Sequence, residues 1–379
     1  MELTVAKKDL LRFVARVQGV VERKSTMPVL SNVLLVADRS GGLRLAATDM
    51  YLALAGHLAA EVTRAGSVAV SARDLLERVK MMPEGPVQIL TTDGANTTLR
   101  SAGSARRYTL RGLPGEDFPP LPTPVAGAPS LALEVEYVQQ LIAKTHYAIS
   151  TDETRAHLNS ALFEWEGDVV RMVATDGHRL AKMEIHATGR QASATMLIPL
   201  KAIQELRRLC DEILQDKDAF KEGKPTLQIT QSGSSAFFQS GNNTFSVKLV
   251  DAQFPPYTQV IPQSSSRTMR AARVQLADAL RAVSIAASER TGGVRLGLTP
   301  SSARISSESA ETGEGFDELP VEFTGEAMNI GFNARYFLDV LGSLEEDEVD
   351  VHLSGELDPA VITPVSDRKF LAVVMPMRI

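Results

Sequence analysis

The one cluster in this 379-residue chain that invites catalysis is Thr175-Asp176-Gly177-His178-Arg179-Leu180, where a carboxylate and an imidazole stand two residues apart beside a glycine. An Asp–His pair can orient a general base, so a hydrolase using Asp176 and His178 is one reading. It needs a nucleophile and an oxyanion site, and the sequence indicates neither. Phosphate-cradling Gly-x-x-x-x-Gly-Lys, Gly-x-Gly-x-x-Gly opening a helix and the Gly-x-Ser-x-Gly elbow are all missing. His57, His146, His157, His178, His186 and His352 include no pair at the i, i+4 spacing of a helical metal site. A single cysteine, Cys210, provides neither a thiolate cluster nor an internal disulfide. No catalytic residue, metal or cofactor is expected, and the leading reading is non-enzymatic.

The second chemistry is charge. Lys8, Arg12 and Arg16 recur at i, i+4, i+8, which a helix places in one row, while Leu10, Phe13, Val14, Val17 and Val21 follow helical spacing on the other side. This predicts an amphipathic helix over 7–21 with a basic outer stripe. Residues 134–149 repeat the design with Val138, Leu141 and Ile142 inward and Glu136, Gln140 and Lys144 outward, so only Lys144 is basic there. Helices over 72–82 and 199–210 add Arg73, Arg78, Lys80, Lys201, Arg207 and Arg208, diluted by Asp74, Glu77 and Glu205; those over 274–287 and 333–344 carry Arg281 and Arg335. Lys8, Arg12, Arg16, Arg73, Lys144, Lys201 and Arg208 stand on outward helix faces, either as a solvated surface or, if the chain works on DNA, as the cations expected to face phosphates. The whole chain nevertheless carries a net charge of −6, so nucleic acid would have to be met by a local basic face or held by topology.

Two helices with one apolar face each must share one side of a sheet, and the intervening segments alternate as half-buried antiparallel strands do. At 44% hydrophobic and 23% charged residues the chain can bury a sizeable core, and its length predicts two or three domains. No apolar run approaches the ~18 residues of a membrane span, and the N-terminus lacks signal-peptide order, so a cytoplasmic protein without membrane contact is expected.

The number of domains follows from internal similarity. Leu43-Arg44-Leu45-Ala46-Ala47-Thr48-Asp49 matches Val170-Arg171-Met172-Val173-Ala174-Thr175-Asp176 without a gap, at an offset of 127 residues. Val70 to Glu77 matches Phe332 to Asp339, and Tyr108-Thr109-Leu110 before Phe118-Pro119-Pro120 matches Phe245-Ser246-Val247 before Phe254-Pro255-Pro256. Pro-rich polar stretches separate the copies. Three similar domains are therefore expected, at 1–126, 127–262 and 263–379. The first copy keeps Thr48-Asp49 but loses the Gly and His, so the Thr-Asp pair reads as a shared structural turn and Gly-His-Arg-Leu as a binding surface of the middle domain.

With the triplication, the basic helix faces, Ala174-Thr175-Asp176-Gly177-His178-Arg179-Leu180-Ala181 and Val373-Val374-Met375-Pro376-Met377-Arg378-Ile379, the chain resembles the bacterial DNA sliding clamps, the β subunits of the replicative polymerase holoenzyme. Met27-Pro28-Val29-Leu30-Ser31-Asn32, Leu158 to Glu164, Phe254-Pro255-Pro256-Tyr257 and Gly331-Phe332-Asn333 extend the resemblance over the full length. It implies an α+β fold of three clamp domains, each with two helices packed on antiparallel sheets, and a head-to-tail homodimeric ring. Such a ring encircles double-stranded DNA without reading its sequence and tethers the replicative polymerase catalytic subunit. A clamp loader, and other polymerases and repair proteins bearing a short clamp-binding motif, are the further implied partners.

The resemblance also implies a pocket for that motif between the middle and last domains. The matching positions begin with Arg155 and Leu158, continue through Thr175, Gly177, His178, Arg179 and Leu180, and take in Pro255, Val260, Asn333 and Tyr336. They end on Val373, Val374, Met375, Pro376, Met377 and Arg378. The sequence departs from the family's pattern at Gln259 and Thr291, where an Arg and a bulky aromatic can occur. Lys24 falls in a loop that can present a cation to DNA, and Ala156-His157 where aromatics can occur. Tyr108 and Leu110, with Ile285 and Ala286, match positions across the subunit boundary. A monomeric DNA-binding regulator is the remaining rival, and a solution mass near 41.0 kDa would favour it.

Overall fold

The computed structural model describes residues 1–22, 26–101, 103–221, 223–288, 291–310 and 313–378. Six α-helices each begin directly after a strand: α1 (Lys7–Arg16), α2 (Ala72–Met81), α3 (Val135–Thr145), α4 (Leu200–Gln215), α5 (Arg273–Ser284) and α6 (Ala334–Ser343). The strand-to-helix junctions thus recur at 7, 135 and 273 and again at 72, 200 and 334. Among the described residues, the starts of α2 and α6 are capped by the side chain that precedes them. Ser71 Oγ accepts from the Asp74 amide at 3.2 Å and Asn333 Oδ1 from the Arg335 amide at 2.9 Å, satisfying donors a helix leaves open.

The expected helix over 7–21 gives way after Arg16 to a 3-10 turn at Val17–Gly19, where the amides of Val20 and Val21 both reach the Val17 carbonyl. That over 134–149 likewise tightens after Thr145, whose hydroxyl bonds back to the Leu141 carbonyl at 2.7 Å. In the other direction, α4 runs to Gln215 instead of stopping at 210, because Ile213 continues the buried row of Ile203, Leu206 and Cys210. This extension keeps Glu212 on the helix.

Two compact units divide the chain, Met1–Glu136 with Gln204–Leu249 and Tyr137–Ile203 with Val250–Ile379. In the first, strands Ala60–Arg64, Glu2–Ala6, Pro86–Thr91, Thr97–Ser101 and Arg107–Leu110 form a five-stranded antiparallel sheet in that order. Its nine-stranded sheet runs Gly112–Pro114, Gly66–Ser71, Asn32–Asp38, Gly42–Thr48, Leu52–Leu58, Asn243–Lys248, Ser235–Ser240, Thr226–Ser232, Ser130–Glu134. Helix α1 packs on α2 over this framework, with Leu10, Phe13 and Val14 buried.

The second unit has a seven-stranded sheet in the order Ser160–Thr175, Arg179–Pro199, Phe370–Val374, Ala360–Pro364, Glu348–Leu353, Arg267–Ala272, Glu322–Thr324. A four-stranded sheet runs Gly313–Pro320, Ser302–Ser309, Gly293–Thr299, Met328–Asn333, and α5 packs on α6. Sheets therefore run through the repeat boundaries. Leu52 pairs with Val247 in the first unit and Arg179 with Val374 in the second, offset by 127 residues on both sides, so one joint is built twice in one register. No helix among the described residues is long and apolar enough to cross a membrane.

Candidate functional site

The Asp176 turn is a backbone device. Thr175 Oγ1 donates to the Arg179 carbonyl at 2.7 Å and accepts from the Gly177 amide at 3.1 Å, while Asp176 Oδ1 accepts from the amides of His178 and Arg179 at 2.9 and 3.0 Å. The first repeat copies this with Thr48 and Asp49, whose oxygens take the Met50, Tyr51 and Leu52 amides at 2.9, 2.9 and 2.6 Å. Gly177 has φ 92° and Met50 φ 76°. Glycine makes the left-handed bend without strain in the middle repeat, whereas in the first Met50 adopts it against its Cβ. With Asp176 spent on the turn and the His178 ring lying near-parallel to Tyr336 at 6.4 Å, the pair is not arranged as a general base.

Arg179 locks the turn to α6. Its guanidinium donates to Asp176 Oδ2 at 3.0 Å, to Asp339 Oδ2 at 2.5 Å and to the Tyr147 carbonyl at 2.5 Å, and lies 4.6 Å from the Tyr336 ring centroid. The side chain is only 10% exposed, so these partners spend it internally and it positions the surface instead of offering a cation. Burial holds the neighbouring Tyr147 phenol well above its usual pKa, keeping it neutral. Asp339 and Tyr147 were not expected from sequence.

Around this turn lies an apolar floor. Leu180 and Val373, opposite each other on paired strands, cluster with Leu162, Val173 and Leu197, and Phe254, Tyr257 and Ile261 pack against them. Burial, and next the negative Glu164, raise the Tyr257 phenol to about 12. Val374 is fully buried and, as the next residue on the strand, faces the opposite side. Beyond it the chain continues extended: the Met375 amide donates to the His178 carbonyl at 2.9 Å and the Met377 amide to the Gly331 carbonyl at 2.8 Å, bracketing Pro376. Met375 is 40% and Val260 49% exposed.

The remaining expected positions surround this surface unevenly. Arg155 reaches within 4.0 Å of where a Gly177 side chain would begin, and Leu158 is buried, its amide on the Arg155 carbonyl. Asn333 caps α6 and donates to the Thr291 carbonyl at 3.0 Å. Pro255 is half-buried; Gln259 and Arg378 are exposed.

The basic stripe departs from expectation. Arg12 Nε and Arg16 Nε meet Glu212 at 2.6 and 2.5 Å, and Arg12 Nη1 meets Asp216 at 2.6 Å, so two of the three cations of the α1 stripe bind α4 and the turn after it. Cavities of about 610 and 420 Å³ flank this bridge, the second lined by Ala15, Val20, Leu54 and Phe245. Lys144, 15% exposed, lies 3.7 Å from Glu346. Helix packing supplied carboxylates that the stripe could not reveal. Exposed Arg73 pairs with Glu77 at 3.1 Å and Arg208 with Glu205 at 3.0 Å; Lys8 and Lys201 are exposed, and Lys24 lies outside the described residues.

Burial disfavours the Glu212 carboxylate, but hydrogen bonds from Arg16 and Arg12 outweigh it and hold the pKa below the ordinary value. Its contribution to stability is thus full above the unfolded glutamate pKa of about 4.3 and lost as pH falls through the lower folded value. Glu212→Gln is expected to cost about 1 kcal/mol at pH 7, the upper end for partly exposed pairs, and to flatten the acid limb of stability against pH. Denaturant titrations from pH 7 to 3 check this; identical curves for both proteins would sink it.

Among the edge strands of the four sheets are Arg107–Leu110 and Gly313–Pro320, each paired on one side only among the described residues. The first carries half-buried Tyr108 and buried Leu110. Beside the second, Ile285 is 80% exposed at the end of α5, Ala286 is buried, and Phe316 is 54% exposed.

The models of the DNA polymerase III beta subunit match in chain order: the N-terminal domain over residues 1–122, the central domain over 132–256 and the C-terminal domain over 258–378. The chain is 33% identical to the beta sliding clamp of Pseudomonas aeruginosa over 381 residues and 31% identical to that of Escherichia coli over 387, covering 100% of each chain in both cases. The crystal structure of the DNA polymerase III subunit beta from Pseudomonas aeruginosa superposes with a TM-score of 0.92 at 32% identity, again over 100% of both chains. With three α+β clamp domains in order and full-length relatives above 30% identity, the chain belongs to the DNA polymerase III beta subunit family, the bacterial sliding clamps.

Proposed function

We propose that this protein is a non-catalytic processivity factor: two copies close head to tail into a ring around double-stranded DNA in the cytoplasm and tether the polymerase to it. The twice-built sheet joint carries this reading. The hairpin pairs Thr48 with Ala53, Thr175 with Leu180 and Glu308 with Glu314 are equivalent, so Gly313–Pro320 corresponds to the strands that make the two internal joints. Tyr108-Thr109-Leu110 corresponds in turn to Phe245-Ser246-Val247 on their other side. The same register pairs Gly313 with the partner's Leu110 and Gly315 with the partner's Tyr108, and brings Ile285 under cover. These two edges are then paired as their counterparts are at the internal joints, which is how a head-to-tail interface closes a ring.

Partner proteins, namely the replicative polymerase catalytic subunit, the clamp loader and other polymerases and repair proteins, bring a short motif to the surface between His178 and Met375. Leu180 and Val373 form its floor, Met375 and Met377 adapt to different side chains, and Arg155, Pro255 and Val260 border it. Lys8, Arg73, Lys201 and Arg208 supply weak phosphate contacts that favour sliding, while Arg12, Arg16 and Lys144 serve the helix layer. The domain boundaries at 126 and 262 remain our reading. The spent Asp176 counts against a hydrolase, and two edge strands that match the strands of the internal joints count against a monomer.

The test is solution mass. Wild-type protein should sediment at about twice 41.0 kDa, and Tyr108→Asp or Ile285→Asp should halve that, because a charge buried unpaired in an apolar interface costs several kcal/mol. A variant that stays dimeric at low micromolar concentration would place the interface elsewhere.

A further inference from the structure

We infer that the joint between subunits lacks an ionic clasp that both joints inside the chain carry, and that positions 278 and 282 set how long it stays closed; this rests on the ring reading above. The strand-to-helix junctions put α1, α3 and α5 in one frame and α2, α4 and α6 in another. In the first frame Arg16, Lys144 and Ala282 are equivalent, and in the second Glu84, Glu212 and Glu346. The same pair of positions forms an ion pair in each unit, Arg16 with Glu212 at 2.5 Å and Lys144 with Glu346 at 3.7 Å. One turn earlier, Arg12 reinforces the first clasp through Glu212 and Asp216, each at 2.6 Å.

The third use of these positions brings α5 of one copy to α2 of the other. There exposed Ala282 replaces the cation, and Asp278 stands at the position of Arg12, so a methyl and a carboxylate meet the partner's Glu84. Glu84 is 86% exposed and takes Lys7 of its own repeat at 2.6 Å. Arg281, at the position of Ala15, is turned to Asp278 of its own helix at 3.5 Å. At these helix positions the joint therefore has like charges where the internal joints have opposite ones. Two joints are stapled by charge and the third is left to part.

The test is a restored clasp. Subunits of the full chain are labelled with donor and acceptor dyes, and exchange between dimers is timed at low and high salt for wild type, Ala282→Arg, Ala282→Arg with Glu84→Gln, and Arg281→Ala. Ala282→Arg should slow opening about two- to fivefold per joint, the worth of a partly exposed ion pair. High salt or the Glu84→Gln companion should remove that gain. Unchanged exchange in a dimeric Ala282→Arg, a gain that survives Glu84→Gln, or a fivefold acceleration in Arg281→Ala would each overturn the inference alone. A wild-type chain sedimenting as a monomer would instead overturn the ring reading and the inference together.

Discussion

A chain lacking Met375 to Ile379 loses affinity for a peptide carrying the polymerase's clamp-binding motif by ~30- to 1,000-fold, the ~2–4 kcal/mol that anchoring residues contribute, while its mass stays that of the dimer. The deletion takes away Met375 and Met377, whose amides tie the segment to the His178 and Gly331 carbonyls, and so strips one wall from above the Leu180–Val373 floor. The paired strand Phe370–Val374 is left whole, and neither Tyr108 nor Ile285 is touched. Calorimetric titration with the peptide reads the loss directly. An unaltered Kd in the shortened chain would remove the surface between His178 and Met375 from consideration.

The second large effect separates enclosure from adhesion. Loaded onto a closed DNA circle, the protein should remain through a rise in salt from 50 to 200 mM that costs an ordinary binder with several phosphate contacts about 10³–10⁵ in affinity, and should leave when the circle is cut. Screening weakens phosphate contacts but opens no strand-paired joint, whereas a free end lets a ring run off. Arg12 and Arg16 sharpen the test, because removing them with Lys8 unmasks Glu212 and Asp216 as well as deleting cations. Direct DNA affinity should therefore fall further than the one lost phosphate contact, that of Lys8, implies, with retention on intact circles preserved. Equal loss from intact and linear DNA in the same salt would end the ring reading.

The sequence revealed what it repeats and hid what is built between distant segments. The Thr-Asp turn was legible because the first repeat has Thr48-Asp49 without the glycine or histidine, an internal control that separated backbone geometry from chemistry. Helix starts were legible from apolar spacing to within a residue or two. The end of α4 was missed although Ile213 continues its buried row, and with it Glu212 was left off the helix. Even a correct end would not have paired Glu212 with Arg12 and Arg16, which lie about 200 residues away and share no local pattern with it. Arg179 shows the same limit: its motif marked it as part of a binding surface, but Asp339 and Tyr147, which consume its guanidinium, come from other elements.

Sheets that run through repeat boundaries also impose an order in time. As the chain leaves the ribosome, the nine-stranded sheet is complete once Asn243–Lys248 emerges and finds Leu52–Leu58 already made. The long hairpin Ser160–Pro199 emerges earlier, yet its open edge at Arg179–Met183 must wait for Phe370–Val374. Through that interval the unfinished chain exposes an unpaired strand that water and chaperones must guard. The strand that relieves it is followed at once by Met375, so in the proposed reading the edge is sealed just as the partner surface gains its last wall, and a half-made chain would have nothing with which to capture a polymerase.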